Sequence, residues 1–231
     1  MPETTADRRG ILYPSRLPTF HREPVSEALA DRVRWIWIPR WDLPAGQRDR
    51  QEVLPFPACN LVVEPDGITL YGPTTSISYR ELEGRGWAVG ALLRPAGAGA
   101  LCSPSLIRNS HRPLEDHDLN ATVAGAMTDP STTTGGQRAA SALAAWVAQH
   151  TGPPPAMALM ANKMEDVVAS DRSILRVDQL ARRLGLSIRS LQRLCKKYIG
   201  LPPLAVIRRY RLQEAAQRLR EDPSLTIAYV A

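Results

Sequence analysis

Between Val177 and Pro203 the chain reads VDQLARRLGLSIRSLQRLCKKYIGLPP, and few local structures satisfy that spacing. Val177, Leu180, Ala181 and Leu184 recur at helical intervals and form one apolar stripe of a short helix, Val177–Leu184. Gly185 follows, where a helix closes with a positive φ that glycine adopts without steric cost. Leu186 tucks under the turn. Ser187 then suits an N-cap, its hydroxyl accepting from a free backbone N–H of the next helix, a contact worth about 1 kcal/mol. That helix, about Ser187 to Tyr198, turns Leu191, Leu194, Cys195 and Tyr198 inward at i, i+3, i+4 and i+7. Arg189, Gln192, Arg193, Lys196 and Lys197 take the outward arc. A small residue at the helix crossing (Ala181), a turn glycine (Gly185) and an inward anchor (Leu191) together make a helix-turn-helix.

A hairpin of helices with a basic outer face is also what a solvated bundle edge looks like, so the charge distribution matters. The net charge is +6. Residues 171–222 hold 13 Lys/Arg against 5 Asp/Glu, residues 1–170 hold 16 against 18, and the last nine residues hold none. The whole positive excess therefore lies around the helix pair, as a surface that neutralises phosphates requires. Arginine makes a bidentate contact to guanine, glutamine pairs with adenine, and lysine supplies a mobile phosphate contact. The expected partner is double-stranded DNA, with Ser187, Arg189, Gln192, Arg193, Lys196 and Lys197 as DNA-binding residues. Cys195, on the inward stripe, reads as a small core residue rather than a redox sensor.

The stretch from about Ser173 to Ala231 resembles the DNA-binding module of the AraC/XylS family of bacterial regulators. The residues that carry the likeness are LARRLGLSIRSLQRLCKKYIGLPP, then PLAVIRRYRLQEAAQRL, then LTIAYVA. The resemblance implies two helix-turn-helix units joined by a long linker helix, each placing one helix in a major groove. It also implies that Arg189, Gln192 and Arg193 face bases, with Ser187 and Lys196 towards phosphates. Arg211 and Ala215 correspond to structural positions of the linker helix. LTIAYVA looks like the opening helix of the second unit, with Thr226 as its cap. The chain stops at Ala231, before a second recognition helix, and the expectation is a truncated unit that leaves Ile227, Tyr229 and Val230 without their covering helix. A single reader makes fewer phosphate contacts and binds weakly, with an affinity that falls as salt is added.

The rest of the chain has a different texture. Residues 1–30 read as an irregular arm. RWIWI places Trp35 and Trp37 on one face and Ile36 and Ile38 on the other, which suits a strand covered on both sides. Further short apolar runs follow at Gln51–Leu54, Asn60–Val63, Ile68–Tyr71, Ser76–Tyr79 and Trp87–Leu93, and Asp66-Gly67 signals a hairpin. They predict a small antiparallel barrel or sandwich. AGAGAL at Ala96–Leu101 reads as a loop, as do residues 128–137. Helices are expected over Arg138–His150 and about Pro155–Ser170, the second burying Met157, Met160, Met164, Val167 and Val168. The fold class is then α+β, a β-rich sensor or dimerisation domain over 1–125, connecting helices over 126–170 and an all-α DNA-binding domain over 171–231.

Residues 33–118, through VLPFPACNLVVE, LYGPTTSISYRELEGRGWAVGALLRPAGAGAL and PLEDHD, resemble a β-rich, cupin-like N-terminal domain found in a subgroup of these regulators. The likeness implies small-molecule sensing or dimerisation, and the His-rich metal motif of catalytic cupins is missing. Trp35, Trp37, Trp41 and Trp87 are candidates either for an apolar pocket or for barrel core. Arg80 and Arg94 suit either an acidic effector or surface ion pairs.

Cys59, Cys102 and Cys195 are far apart in sequence and odd in number, which argues against a disulfide framework and against paired zinc ligands. His111 and His117, in the acidic stretch SHRPLEDHD, read as loop residues rather than metal ligands. No apolar run reaches a membrane span's length, and no secretory signal opens the chain. The reading is a cytoplasmic regulator without cofactor or enzymatic activity, with a possible small-molecule effector, homodimer partner and, for an activator, RNA polymerase. The alternatives are an interaction protein with a non-functional reader, and a DNA-alkylation repair enzyme fused to a reader.

Overall fold

In the computed structural model, which describes residues 19–222 and 224–226, the alternation of RWIWI becomes β2 (Val33–Asp42). Ile36 and Ile38 are buried on one face with Leu61, Val63, Leu70, Val89, Ala91 and Leu93. Trp35 and Trp37 point the other way, into a cavity. This strand belongs to a large sheet ordered β1 (Thr19–Glu23), β2, β8 (Val89–Leu93), β4 (Asn60–Glu64), β5 (Gly67–Tyr71), β9 (His111–Leu114), with β7 (Arg85–Trp87) paired to the far end of β2. A second sheet consists of β3 (Arg48–Val53) and β6 (Ser78–Glu83), and every pairing in both is antiparallel. The α+β architecture read from the sequence is the one observed.

Three segments depart from the expectations. Residues 19–23 of the supposed arm form β1, laddered onto β2 from Thr19↔Arg40 to Glu23↔Ile36. HRPL in the acidic stretch forms β9 at the opposite edge, where Pro113 is tolerated because an edge strand needs only one side of its ladder. The hairpin sits one residue earlier than Asp66-Gly67: Glu64 pairs with Gly67, so Pro65 and Asp66 make the turn.

Two supposed loops are helical. AGAGAL lies in α1 (Pro95–Leu101), which packs against two other helices. Its glycines permit close approach: a Cβ at Gly97 would lie 2.1 Å from the Arg32 carbonyl oxygen, and one at Gly99 2.6 Å from the ring of Tyr198. The helix penalty of glycine is outweighed by packing that no larger residue allows. Residues 132–137 open α3 (Thr132–His150), with Ser131 as N-cap accepting from the Thr134 N–H at 3.3 Å. Asp116 likewise caps α2 (His117–Met127), accepting from the Leu119 N–H at 2.9 Å and from Trp146 Nε1 at 2.6 Å. These bonds hold its carboxyl below the usual aspartate range.

Helices α2 and α3 cover the isoleucine face of the large sheet. The next helix, α4 (Ala156–Ser170), faces the C-terminal helices with Ala158, Ala161, Met164 and Val168. Met160 and Val167 are half-buried and Met157 is exposed, a correction caused by a stripe that runs one residue later than the methionines suggest. Three more helices follow, α5 (Val177–Leu184), α6 (Ile188–Tyr198) and α7 (Pro203–Glu221). Ile227, Tyr229 and Val230, read as part of a further helix, lie outside the described residues. No helix among those described is long and apolar enough to cross a membrane.

Candidate nucleic-acid interface

Helices α5 and α6 fall where the spacing of the sequence places them. Gly185 closes α5 at φ +66°, its N–H donating to the Arg182 carbonyl at 3.1 Å, while Leu186 N–H donates to that of Ala181 at 2.9 Å. Ser187 caps α6, its Oγ accepting from the Ser190 N–H at 3.1 Å and lying 2.9 Å from the Ser190 hydroxyl. At the start of α5 the Gln179 side-chain oxygen accepts from the Leu175 and Arg176 N–H groups at 3.0 and 2.9 Å. The first turn of each helix is thus hydrogen-bonded locally.

The inward stripe is fully covered: Leu180, Leu191, Leu194, Cys195 and Tyr198 are all buried, with Val177 half-buried. Burial pushes the Cys195 thiol up to about 12, in keeping with a core position. On the other side Arg189, Gln192, Arg193, Lys196 and Lys197 are exposed. None of the first four has a hydrogen bond or ion pair among the described residues, and Lys197 lies over the Tyr198 ring at 5.1 Å. Ile188, the first residue of α6, is 47% exposed and adjoins this face, a neighbour that polarity alone did not single out. Its signal was positional, since the first turn of a recognition helix approaches the base edges.

The basic segment divides once its partners are known. Arg172 binds Glu214 at 2.6 Å, Arg176 and Arg182 both bind Asp178, at 3.0 and 3.1 Å, and Arg211 binds Glu214 at 3.3 Å. Arg211 also donates to the carbonyls of Val168 and Asp171, fastening α7 to the end of α4, which agrees with a structural role. The unengaged cations of the helix pair are therefore concentrated on α6.

Behind the reader lies the N-terminal half. Tyr198, at the end of α6, sits against Gly99 of α1. Phe56 meets Tyr210 of α7 edge to face at 5.5 Å, and Gln213 donates to the Pro55 carbonyl at 3.2 Å. The Tyr210 hydroxyl donates to Glu165 at 2.8 Å, and the other oxygen of that carboxylate lies 2.9 Å from Arg34 and 3.5 Å from Arg94. Burial alone would lower the Arg34 guanidinium, but Glu165 and its neighbours hold it above its ordinary value. Arg94 also binds Asp166 at 2.6 Å, so it belongs to this junction rather than to a ligand pocket.

The large and small sheets face each other across a cavity of about 570 Å³. Trp35, Trp37 and Trp41 line it, as does Arg80, whereas Trp87 packs against the core under the helices. Cys59 and Cys102, distant in sequence, lie close enough that each shifts the other: the proximity and burial push the Cys59 thiol well up, and the same proximity draws that of Cys102 down, the Cys102 Sγ donating to the Ala98 carbonyl at 3.4 Å. His111 lies on β9 beside Tyr71 and His117 opens α2; among the described residues no three metal-ligating side chains gather.

Comparison with known proteins gives two family matches. Residues 180–231 match a helix-turn-helix domain, and residues 21–113 match a domain of unknown function, DUF6597. A comparison with curated proteins finds no match. Among solved structures, the AraC-like transcriptional activator CuxR is similar at 14% identity, with 88% of each chain covered and a TM-score of 0.25, a likeness too slight to support any statement about this chain. The helix-turn-helix model is of AraC type, and DUF6597 is a cupin-like domain that accompanies such readers. Joined to the capped, glycine-turned helix pair described above, the match over residues 180–231 gives the chain a helix-turn-helix domain of the kind that DNA-binding transcription regulators carry.

Proposed function

We propose that α6 reads base sequence through Arg189, Gln192 and Arg193, that Ser187, Lys196 and Lys197 contact phosphates, and that a small molecule in the N-terminal cavity governs the reader. The observation that carries the DNA-reading part is the exposed α6 face, whose Arg189, Gln192, Arg193 and Lys196 have no partner within the described chain. Ser187 already caps the helix, so its phosphate contact would be made while the cap is kept. The effector part is supported by the segment 53–58. Val53, Leu54, Phe56 and Ala58 form part of the cavity wall, and in the same segment Phe56 packs on the Tyr210 ring of α7 while the Leu54 and Pro55 carbonyls accept from Gln213. A change in the shape of that wall alters the seat of α7, and α7 is packed on α6. A homodimer, contact with RNA polymerase and a cytoplasmic location belong to the same reading.

The test is selection of binding sites from random duplex DNA with the full chain, followed by gel-shift titration on the selected site. Arg189→Ala with Arg193→Ala is expected to weaken specific binding by roughly 100-fold, each lost bidentate contact being worth about 1–3 kcal/mol. Unchanged affinity overturns the assignment of the reading face. If no site is enriched and binding is absent even at low salt, the chain is an interaction protein whose helix pair serves another purpose.

A further inference from the structure

We infer that the cavity between the two sheets is a binding site for a flat, uncharged aromatic molecule that carries a hydrogen-bond donor. The inference rests on the reading of the N-terminal domain as the effector-binding part, and it names the chemistry of that effector.

Three properties of the wall lead to this class. The first is its surface: Trp35, Trp37, Trp41, Phe56, Tyr71 and Tyr79 all line it, so aromatic rings are a main element of the wall a ligand would meet. Aromatic walls gain most from an aromatic guest, through stacked and edge-to-face contacts beyond simple burial. A flat molecule between the two sheets can lay a face against each of them, which a globular one cannot do over the same area. At about 570 Å³ it lies within the usual range for small-molecule sites, with room for two or three fused rings.

The second property is charge. Arg22, Arg80, Glu64 and Glu81 all line the cavity, two cations against two anions. The guanidinium of Arg22 lies 4.4 Å from the Trp35 ring, and that of Arg80 lies 4.4 Å from the Tyr71 ring. With the charges balanced and both guanidinium groups stacked on rings, the lining carries no net charge that would favour an anion over a cation.

The third property is an orphan acceptor. Gln51 on β3 is only 5% exposed, lines the cavity, and its side-chain oxygen has no hydrogen-bond partner among the described residues. Its amide nitrogen donates to Asp49 at 2.6 Å, which fixes the orientation of the group, since the reverse orientation would set oxygen against carboxylate. A buried carbonyl oxygen without a partner is costly, and a ligand that brings an O–H or N–H removes the cost. Asn60, also in the wall, is oriented in a similar way, its oxygen accepting from Trp37 Nε1 at 3.1 Å, which leaves its amide nitrogen as the donor end of the group. A phenolic hydroxyl, both donor and acceptor, suits this pair of amides.

Calorimetric titration of the full chain without DNA, using three probes, tests the inference. 2-Naphthol is flat and carries a donor, 2-methoxynaphthalene has the same rings without one, and 1-adamantanol has the donor on a globular body. 2-Naphthol is expected to bind about tenfold more tightly than either of the others. Gln51→Met is expected to abolish the difference between the two naphthalenes while leaving 2-methoxynaphthalene within about twofold of its wild-type affinity. Equal affinities in the wild type, no saturable binding by any probe, or a preference that survives Gln51→Met overturns the inference. The wild-type ranking stands without the variant, so a Gln51→Met chain that fails to fold does not remove the test. The two proposals fail separately. A chain that binds DNA through α6 but none of the probes overturns the ligand class alone. A chain that binds 2-naphthol with no change in DNA affinity upholds the site and overturns its control of the reader.

Discussion

At Arg189 and Arg193 the guanidinium groups stand on an exposed helix face with no acid among the described residues near enough to pair, whereas Arg172, Arg176, Arg182 and Arg211 are each held by a carboxylate. Counting charges along the segment treats all of them alike. What separates them is which residues the fold brings within reach: Glu214 is 42 positions from Arg172 in the sequence and 2.6 Å away in space. Lys196→Ala is expected to weaken DNA binding to all sequences alike and to lower the slope of log affinity against log salt by about one, as loss of one phosphate contact requires. An unchanged slope would remove Lys196 from the interface. Cys195 supplies a pH-dependent prediction. Its thiol, near 9 in the unfolded chain, is raised to about 12 in the fold, so its contribution is present below pH 9 and is lost as pH rises from 9 towards 12. Thermal melts between pH 8 and pH 11 should therefore show wild type losing stability more steeply than Cys195→Ala, and parallel curves would mean that burial of the thiol is not felt.

The helix pair α5–α6 was legible from the sequence to the residue, because every signal that sets it is local: apolar spacing, a glycine in the positive-φ region, a serine one turn ahead of the N–H it satisfies. Ser187→Ala is expected to cost about 1 kcal/mol. Gly185→Ala is expected to cost about 1–2 kcal/mol through backbone strain alone, since a Cβ there meets nothing within 4 Å. In a chain of this size each kcal/mol appears as a fall in Tm of about 2–4 °C. Helix α1 was not legible, and for the converse reason. Its glycines lower helix propensity locally, and their purpose appears only when the Tyr198 ring and the Arg32 carbonyl are seen against them. Gly99→Ala is therefore expected to destabilise the chain, although the same change stabilises an exposed helix. A melt that rises instead would show that α1 and α6 are not pressed together there.

Across the whole molecule, the N-terminal half and the reader meet at a buried charge cluster, with Glu165 at its centre, 1% exposed, between Arg34, Arg94 and the Tyr210 hydroxyl. Glu165→Gln takes the buried counter-charge from two partly buried guanidinium groups, leaving them only the more exposed Asp166, and is expected to cost about 3 kcal/mol. It should also loosen the contact between the halves, measured as faster hydrogen exchange in α4 and α7. A variant as stable as wild type would show that the cluster is not a joint. None of this junction was legible in advance. Glu165 reads as one more polar residue on an amphipathic helix, and Arg34 and Arg94 as surface charges beside strands. The strand pattern and the reader follow from interactions between near neighbours in the chain, so the order of residues is enough to define them. The cavity, the pairing of Arg94 with Glu165 and the contact of Phe56 with Tyr210 join residues more than seventy positions apart. Long-range contacts of this kind depend on how the finished elements pack, which is why they emerge only from the folded chain.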